Sequence, residues 1–570
     1  MFSKIYKIFL AISLVLIILR VFYFQIIKGD YYREMSLNNY LRVLPLSGYR
    51  GNILDRYGRE LAGNRLNFSI QVLPDRIKNR SEIFEIINRE FDIDIEDLKN
   101  IYKLKFKAPF APLTLVSNVD FERALFLKEK YRNISGLLIS ENIKRYYSNG
   151  TVASHLLGYL GEISEDELKE LKPYGYRFSS YIGKSGAEKE FEPYLKGSDG
   201  GMLVKVDNQG RIIEILSREE PKRGLDIYLT IDLDLQQKAE ELLSPYTGCF
   251  LAMDVDSGEI IAAVSSPNFD PNVFISSDNH KILQLLSSRE KPLLNRAIQG
   301  EYPLGSVFKL LIAVAALDSD VISSGDKFFC PGHFIYGGRS YKCWNSSGHD
   351  WQDLRQAIAH SCNVYFYNIG LKTGVDSIVY HADLFGFGQK TGIDLPYEKD
   401  GLLPSSNWKA KKIKEHWYPG DTINISIGQG YLLASPMQVI RFMAALANEG
   451  TLLKPKVCSS ISGELVDKEE SENIPISVRD IKFIKRAMRD TVNSPTGTGQ
   501  IAKVVPAIAG KTGTAQVTSG KPHAWFAGFA PYDSPRIAFL AFVEHGGGGG
   551  YATARITKEF LKYYYKKSEL

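Results

Sequence analysis

The sequence predicts an α+β multidomain protein: an N-terminal transmembrane helix, a mainly-β/α+β non-catalytic domain, and a C-terminal domain in which helices flank a sheet. Three observations predict it. The chain has 570 residues, more than one domain usually holds. It opens on an apolar run of membrane-spanning length. Beyond residue 226, strand patterns recur at both ends with helical patterns between them, so one sheet joins distant segments. The net charge of +5 is spread thinly, with no long basic run and no aromatic-basic module, so no nucleic-acid partner is expected. Five cysteines are too few for a disulfide scaffold.

The anchor is read over residues 8–27, behind a short cytoplasmic tail of residues 1–7. Ile8 to Leu19 is apolar apart from Ser13, and Val21 to Ile27 continues past Arg20 with Gln25 as its polar break. No small-residue cleavage site follows, so the segment is expected to stay. Lys4 and Lys7 precede it without an acid, whereas Lys28, Asp30, Arg33 and Glu34 follow as a mixture. That places the N-terminus inside and the bulk outside the cytoplasmic (inner) membrane, in a single pass. A buried core helix is the alternative. The terminal position and all-round apolarity argue against it.

Residues 28–225 are expected as one non-catalytic domain. Tyr49 to Gly58 reads as two turns around a short strand, and residues 81–105 and 164–172 have helical periodicity. Gly-rich stretches run from Tyr181 to Gly186 and from Gly197 to Gly201. No catalytic constellation stands out, so this half reads as a spacer or interaction module. Residues 226–570 form the second domain. Strands are expected at Asp226–Ile231, Cys249–Asp254 and Ile260–Ser265, with a helix at Leu233–Leu243. Further strands follow at Ala507–Ala509, Ala524–Gly528 and Ile537–Val543, before a final helix, Ala552–Tyr565.

The candidate nucleophile is Ser306. Ser306-Val307-Phe308-Lys309 fits S-x-x-K, but so do Ser288 with Lys291, Ser324 with Lys327 and Ser406 with Lys409. Only Ser306 follows a Pro-Leu-Gly turn and opens an apolar helix, Val307 to Leu317. Residues i and i+3 there share a face, so the Lys309 amine reaches the hydroxyl. Apolar burial depresses a lysine pKa and frees an amine as base. The plain alternative makes Ser306 an N-cap and Lys309 a solvated residue.

Two further patterns support the first. Ser361-Cys362-Asn363 fits S-x-N in a helical stretch from Asp353 to Leu371. Ser277-Asp278-Asn279 also fits, in a polar loop. Lys511-Thr512-Gly513-Thr514 fits K-T-G after a strand-like Ile508-Ala509-Gly510. The other matches, Lys372-Thr373-Gly374 and Lys390-Thr391-Gly392, are read as Gly-rich loops after a helix stop. A strand edge presents Lys511 and Thr512 to a carboxylate, while Gly513 permits close approach of an extended substrate. The ordered set Ser306, Ser361, Lys511 is far more specific than any member.

That set resembles the penicillin-binding proteins and serine β-lactamases. Arg50 to Arg56, Glu188 within Gly186 to Glu192, and Asp207 to Gly210 look like boxes of class B penicillin-binding proteins. Gly428-Gln429-Gly430 before Ser435-Pro436 is similar too. Pro303 to Lys309 and Gly348-His349 resemble the elongation type, penicillin-binding protein 2. The resemblance implies an elongated pedestal domain and a penicillin-binding, β-lactamase-like transpeptidase domain. It implies a D,D-transpeptidase that cross-links peptidoglycan stem peptides during wall elongation and binds β-lactams. In the roles it implies, Ser306 is acylated and Lys309 is the base. Ser361 and Asn363 assist proton transfer and positioning. Lys511, Thr512 and Thr514 hold the substrate carboxylate, and the backbone N–H groups of Ser306 and Thr514 form the oxyanion hole. Implied partners are a membrane glycosyltransferase and other elongation-complex membrane proteins. A septal class B enzyme, or an activator or scaffold of the glycosyltransferase, are the competing readings.

Cys330, Cys343, His349 and Cys362 fall close together in the sequence, and three thiols with an imidazole suit tetrahedral zinc. The competing readings are a Cys330–Cys343 disulfide or buried free thiols. His333 and Asp350 are spare ligand candidates, and Cys249 and Cys458 read as core residues. Any such metal is structural, because serine acylation requires no cofactor.

Overall fold

A computed structural model describes residues 2–33, 41–46, 48–106, 109, 112–177, 180–207, 212–276, 278–466, 470–548 and 550–568. Glu34, Asn208, Gln209, Gly210 and Ser277 lie outside them. The N-terminal helix Phe2–Phe22 runs into a π turn, Tyr23–Ile27. The span Lys4–Ile27 has a mean hydropathy of 2.4 and no buried residue. Among the described residues it is the one helix long and apolar enough to cross a membrane.

The chain forms two compact units. One takes residues 1–51, 64–145 and 196–224, and the other takes residues 52–63, 146–195 and 225–570. The stretch 28–225 therefore divides between them. Polar burial shows why residues 52–63 belong with the C-terminal part. The fully buried Asp55 carboxylate accepts the Leu233 N–H and the Arg59 guanidinium, and Arg59 also reaches Asp234.

In the first unit the expected helical stretch 81–105 is two helices, Arg80–Phe91 and Ile95–Lys105. Asp92, left-handed at φ 54°, ends the first, and the Asp94 carboxylate caps the second. Their apolar faces, including Ile83, Ile87 and Leu98, pack with Leu113–Val119 and the far part of strand Glu60–Val72. A separate antiparallel sheet has the order Leu41–Leu46, Gly200–Val206, Ile212–Glu219.

The second unit is built on a five-stranded antiparallel sheet. Its main elements are helix α1 (Leu233–Leu243), strands β1 (Gly248–Asp254) and β2 (Ile260–Ser266), and helices α2 (Lys309–Asp318), α3 (Leu354–Ala359), α4 (Asn363–Leu384), α5 (Pro419–Ile425), α6 (Pro436–Ala447) and α7 (Val478–Asn493). Strands β3 (Ala509–Ala515), β4 (His523–Ala530) and β5 (Ile537–Val543) and helix α8 (Tyr551–Ser568) complete it. The order is β2-β1-β5-β4-β3, so strands from both ends of the domain meet, as the sequence predicts. The strands are buried on both faces because both are covered, and all but β3, which carries Lys511 and Thr512, are largely apolar. Leu235, Phe250 and Phe560 pack on one side, and Leu310, Met443 and Leu540 on the other. One predicted strand behaves otherwise. Residues 227–229 pair with Cys458–Ile461 and Ile53–Leu54 in a different sheet.

Candidate active site

β3 is an edge strand, and Lys511-Thr512-Gly513 lies inside it, not after it as the sequence suggests. Ser306 sits in a 3-10 turn, Gly305–Val307, and α2 begins at Lys309. This corrects the expected helix start at Val307. In a 3-10 turn residues three apart stand above one another, so Ser306 and Lys309 still share a face. Two glycines fix the turn. Gly305, at φ 55°, donates its N–H to the Gly428 carbonyl at 2.9 Å. A Cβ on Gly305 would lie 2.4 Å from the Thr514 carbonyl oxygen, and one on Gly428 would lie 2.2 Å from that of Gly305. Side-chain-free backbones thus interlock the nucleophile's turn with β3. Gly513 serves the same packing. Its missing Cβ would point at Val307 and Trp525, each 2.9 Å away, so its bareness admits the nucleophile's turn.

The helical stretch 353–371 is two helices. The first ends at Ala359 and the second starts at Asn363. Ser361 lies in the break at φ 55°, a left-handed conformation costly for a side chain with a Cβ, and Cys362 N–H closes back on the Ala357 carbonyl. The break aims both polar groups at one amine. Lys309 Nζ donates to the Ser361 carbonyl at 2.8 Å, to Ser361 Oγ at 3.3 Å and to Asn363 Oδ1 at 2.7 Å. Lys309 is fully buried, and burial pushes it down to about 8, against the pull of the Cys362, Cys343 and Cys330 thiols. Lys511 is equally buried. Burial first, then the charge of Lys309, pushes it well below the ordinary lysine value.

The competing motifs fall away by geometry. Lys409 is bound by Asp421 at 2.6 Å and Glu415 at 3.4 Å. Burial opposes its charge, but these partners outweigh it and hold it above the usual value, so it cannot act as a base. Lys291 lies in a loop and Ser324 in a turn. Lys372 and Thr373 are helical within α4, not in a loop, and Gly374 marks a kink at φ 75°. Thr391 is buried against Glu398, which holds its loop.

The cysteine cluster does assemble. One ligand atom from each of Cys330, Cys343, His349 and Cys362 lies within 4.8 Å of the others, and both Cys330 and Cys343 sulfurs stand 3.6 Å from His349 Nδ1. Cys330 and Cys343 are not joined in a disulfide. His333 and Asp350 are not in the group. Burial pushes the Cys330 thiol up, against the backbone N–H of Gly332, which faces its sulfur; the N–H groups of Asn345 and Tyr365 face the sulfurs of Cys343 and Cys362 in the same way. A hydrogen bond from Cys362 pulls Cys343 well below the ordinary thiol range, while the same bond pushes Cys362 up. His349 Nε2 is buried with no partner among the described residues. Three soft donors and an imidazole fit a tetrahedral metal.

Residues 248–562 match the model of the penicillin binding protein transpeptidase domain, and residues 45–229 that of the penicillin-binding protein dimerisation domain. The chain belongs to the penicillin-binding protein family. Peptidoglycan D,D-transpeptidase MrdA of Acinetobacter baumannii is 36% identical over 98% of this penicillin-binding protein and 87% of its own length. The Haemophilus influenzae protein of that name is 33% identical over 95% and 88%. Among solved structures, the complex between penicillin-binding protein PBP2 and MreC from Helicobacter pylori matches with TM-score 0.82 and 31% identity, over 93% of this chain and 100% of that one. The resemblance to penicillin-binding protein 2 read from the motifs therefore holds.

Sequence reasoning missed two contributors in this penicillin-binding protein. Thr498 bridges Thr512 Oγ1, at 2.9 Å, to the Ala359 carbonyl at the end of α3. Trp344 donates its indole N–H to the Ser361 carbonyl at 3.1 Å, the same oxygen that receives Lys309. Neither belongs to a motif, and only the fold brings them to the site.

Proposed function

We propose that the chain is a D,D-transpeptidase of wall elongation, and that one observation carries the assignment: a buried lysine of lowered pKa, three residues from a serine, whose amine is shared by the S-x-N serine and asparagine beside a second buried lysine. Neutral Lys309 takes the Ser306 proton as Oγ attacks the carbonyl of the penultimate D-alanine. The C–N bond to the terminal D-alanine breaks, and its amine leaves with the proton, passed by way of Ser361. The acyl-serine then meets an amine from a neighbouring stem peptide. The new amide forms, and Ser306 regains a proton. Backbone N–H groups of Ser306 and Thr514 stabilise the oxyanion in each half. A substrate carboxylate at Thr512 and Thr514 restores the charge of Lys511, whose burial disfavours it in the free enzyme.

Cys330, Cys343, His349 and Cys362 hold a structural zinc in this reading. Bound there it braces the break between α3 and α4 that presents Ser361, and no chemical step passes through it. The N-terminal helix anchors the chain with the catalytic unit outside the cytoplasmic membrane. Solved relatives are described with MreC and in a peptidoglycan synthase complex that coordinates polymerization and crosslinking. The corresponding partners here are an elongation-complex membrane protein and a glycan-polymerising glycosyltransferase.

Labelling with a fluorescent penicillin followed by peptide mapping tests the assignment. The adduct is expected on the Ser306 peptide and absent in Ser306→Ala. An adduct on another serine, or none on the folded chain, refutes it.

A further inference from the structure

Gly428-Gln429-Gly430 is absorbed only in part by the acylation machinery. Gly428 locks the nucleophile's turn, but Gln429 and Gly430 face away into a separate cavity of about 150 Å³. Its other walls include Trp417, Asn424 and Tyr431. The two aromatic walls are held in place. Trp417 donates its indole N–H to Thr422 Oγ1 at 2.8 Å, and Tyr431 packs on Trp408 with ring centroids 5.2 Å apart. Gln429 N–H donates to the Asn424 carbonyl at 3.0 Å, and Gly430 turns away at φ 83°.

The chemistry of the lining selects its ligand. The carboxylate at the cavity, Asp421, is taken up by Lys409 at 2.6 Å and by the Tyr418 N–H at 2.9 Å. The cavity thus offers no free charge from that pair, which disfavours a carboxylate-bearing peptide. What it does offer is aromatic surface from Trp417 and Tyr431 and two side-chain amides, Asn424 and Gln429. Neither amide makes a side-chain hydrogen bond among the described residues, and each brings two donors and an acceptor. Electron-rich ring faces receive the C–H face of a pyranose, while neutral amides pair with hydroxyl and acetamido groups.

We propose that this cavity is a glycan subsite, binding one neutral N-acetylhexosamine unit of the strand that carries the stem peptide. The inference builds on the transpeptidase reading, because the wall that lines the cavity continues through Gly428 into Gly305 and Ser306. Seating the strand there fixes where its peptide enters the reaction.

The test uses the full chain in detergent and a peptide-free β-1,4-linked N-acetylglucosamine tetramer. Binding is read by saturation-transfer NMR at the acetyl methyl groups and by tryptophan fluorescence. Saturable binding is expected, weakened roughly tenfold or more in Trp417→Ala and in Asn424→Ala and largely restored in Trp417→Phe. Asn424 is exposed, so its variant reports even if Trp417→Ala disturbs the fold. Fluorescent-penicillin labelling of Ser306 is followed in the same samples. Loss of labelling on the wild-type chain would strike the transpeptidase reading, whereas the glycan subsite is overturned by an absence of saturable saccharide binding, by equal binding in all variants, or by a cavity that answers to free stem peptide alone.

Discussion

Replacing Asn363 by aspartate sets a negative charge where the amide oxygen now stands, 2.7 Å from Lys309 Nζ. Shape is nearly unchanged, so beyond the lost Nδ2 bond to the Lys342 carbonyl the effect is electrostatic. At an effective dielectric of about 20, the attraction at that distance is roughly 6 kcal/mol before the new carboxylate's own desolvation is subtracted. Opposite charges this close move a pKa by about one to three units. A lysine that titrates at about 8 is neutral roughly one time in four near pH 7.5. Raised by one to two units, it is neutral between roughly one time in 30 and one in 300. Acylation at that pH should fall about ten- to a hundredfold, the ascending limb of the pH–rate profile should move up by the same one to two units, and the two enzymes should converge at high pH. Stopped-flow acylation by a fluorescent penicillin across the pH range measures all three. Asn363→Ala is the control: it removes the bond to Lys309 and the bond from Nδ2 to the Lys342 carbonyl without adding charge, so its midpoint should not rise. A loss in Asn363→Asp that is equal at every pH would refute Lys309 as the titrating base.

Three further outcomes are expected. Gly305→Ala meets the Thr514 carbonyl and carries a left-handed penalty of about 1 kcal/mol before the clash, so penicillin acylation should fall by more than tenfold while the fold, read by circular dichroism, persists. Lys409→Met leaves the Asp421 carboxylate with the Tyr418 N–H but without its cation, which should destabilise the chain by about 1 to 3 kcal/mol and lower its Tm, with acylation of the folded fraction retained. Purified chain should carry one zinc, counted by metal analysis. Chelation should expose the three thiols of the cluster to a thiol reagent, and Cys343→Ser should arrive without metal.

The order of the three motifs, and the sheet that joins strands near residue 250 to strands near residue 540, were legible because each rests on local pattern: apolar runs of strand length and residues at fixed short spacing. What escaped was set by tertiary contact. The 353–371 stretch has continuous helical periodicity, yet lysine burial and the closing Cys362 bond force Ser361 out of the helix. Asp92 breaks the first unit's helix by adopting a conformation the composition does not announce. Thr498 and Trp344 carry no motif and reach the site only through the fold. The packing role of Gly513 against Val307 and Trp525 escaped for a like reason: a glycine in a sequence shows that a side chain is excluded, but not which neighbour excludes it.

The interlocked pair Gly305 and Gly428 bears on drug escape. A chain under β-lactam selection must slow its reaction with the drug while keeping its reaction with the wall, and both use the same serine. A methyl group at either glycine shifts that serine for both at once, so neither position offers a route that separates poison from substrate. Variation that spares wall synthesis has to arise where the drug and the peptide differ in shape, farther out along the cleft, and drugs whose contacts stop at the interlocked turn leave the fewest such places.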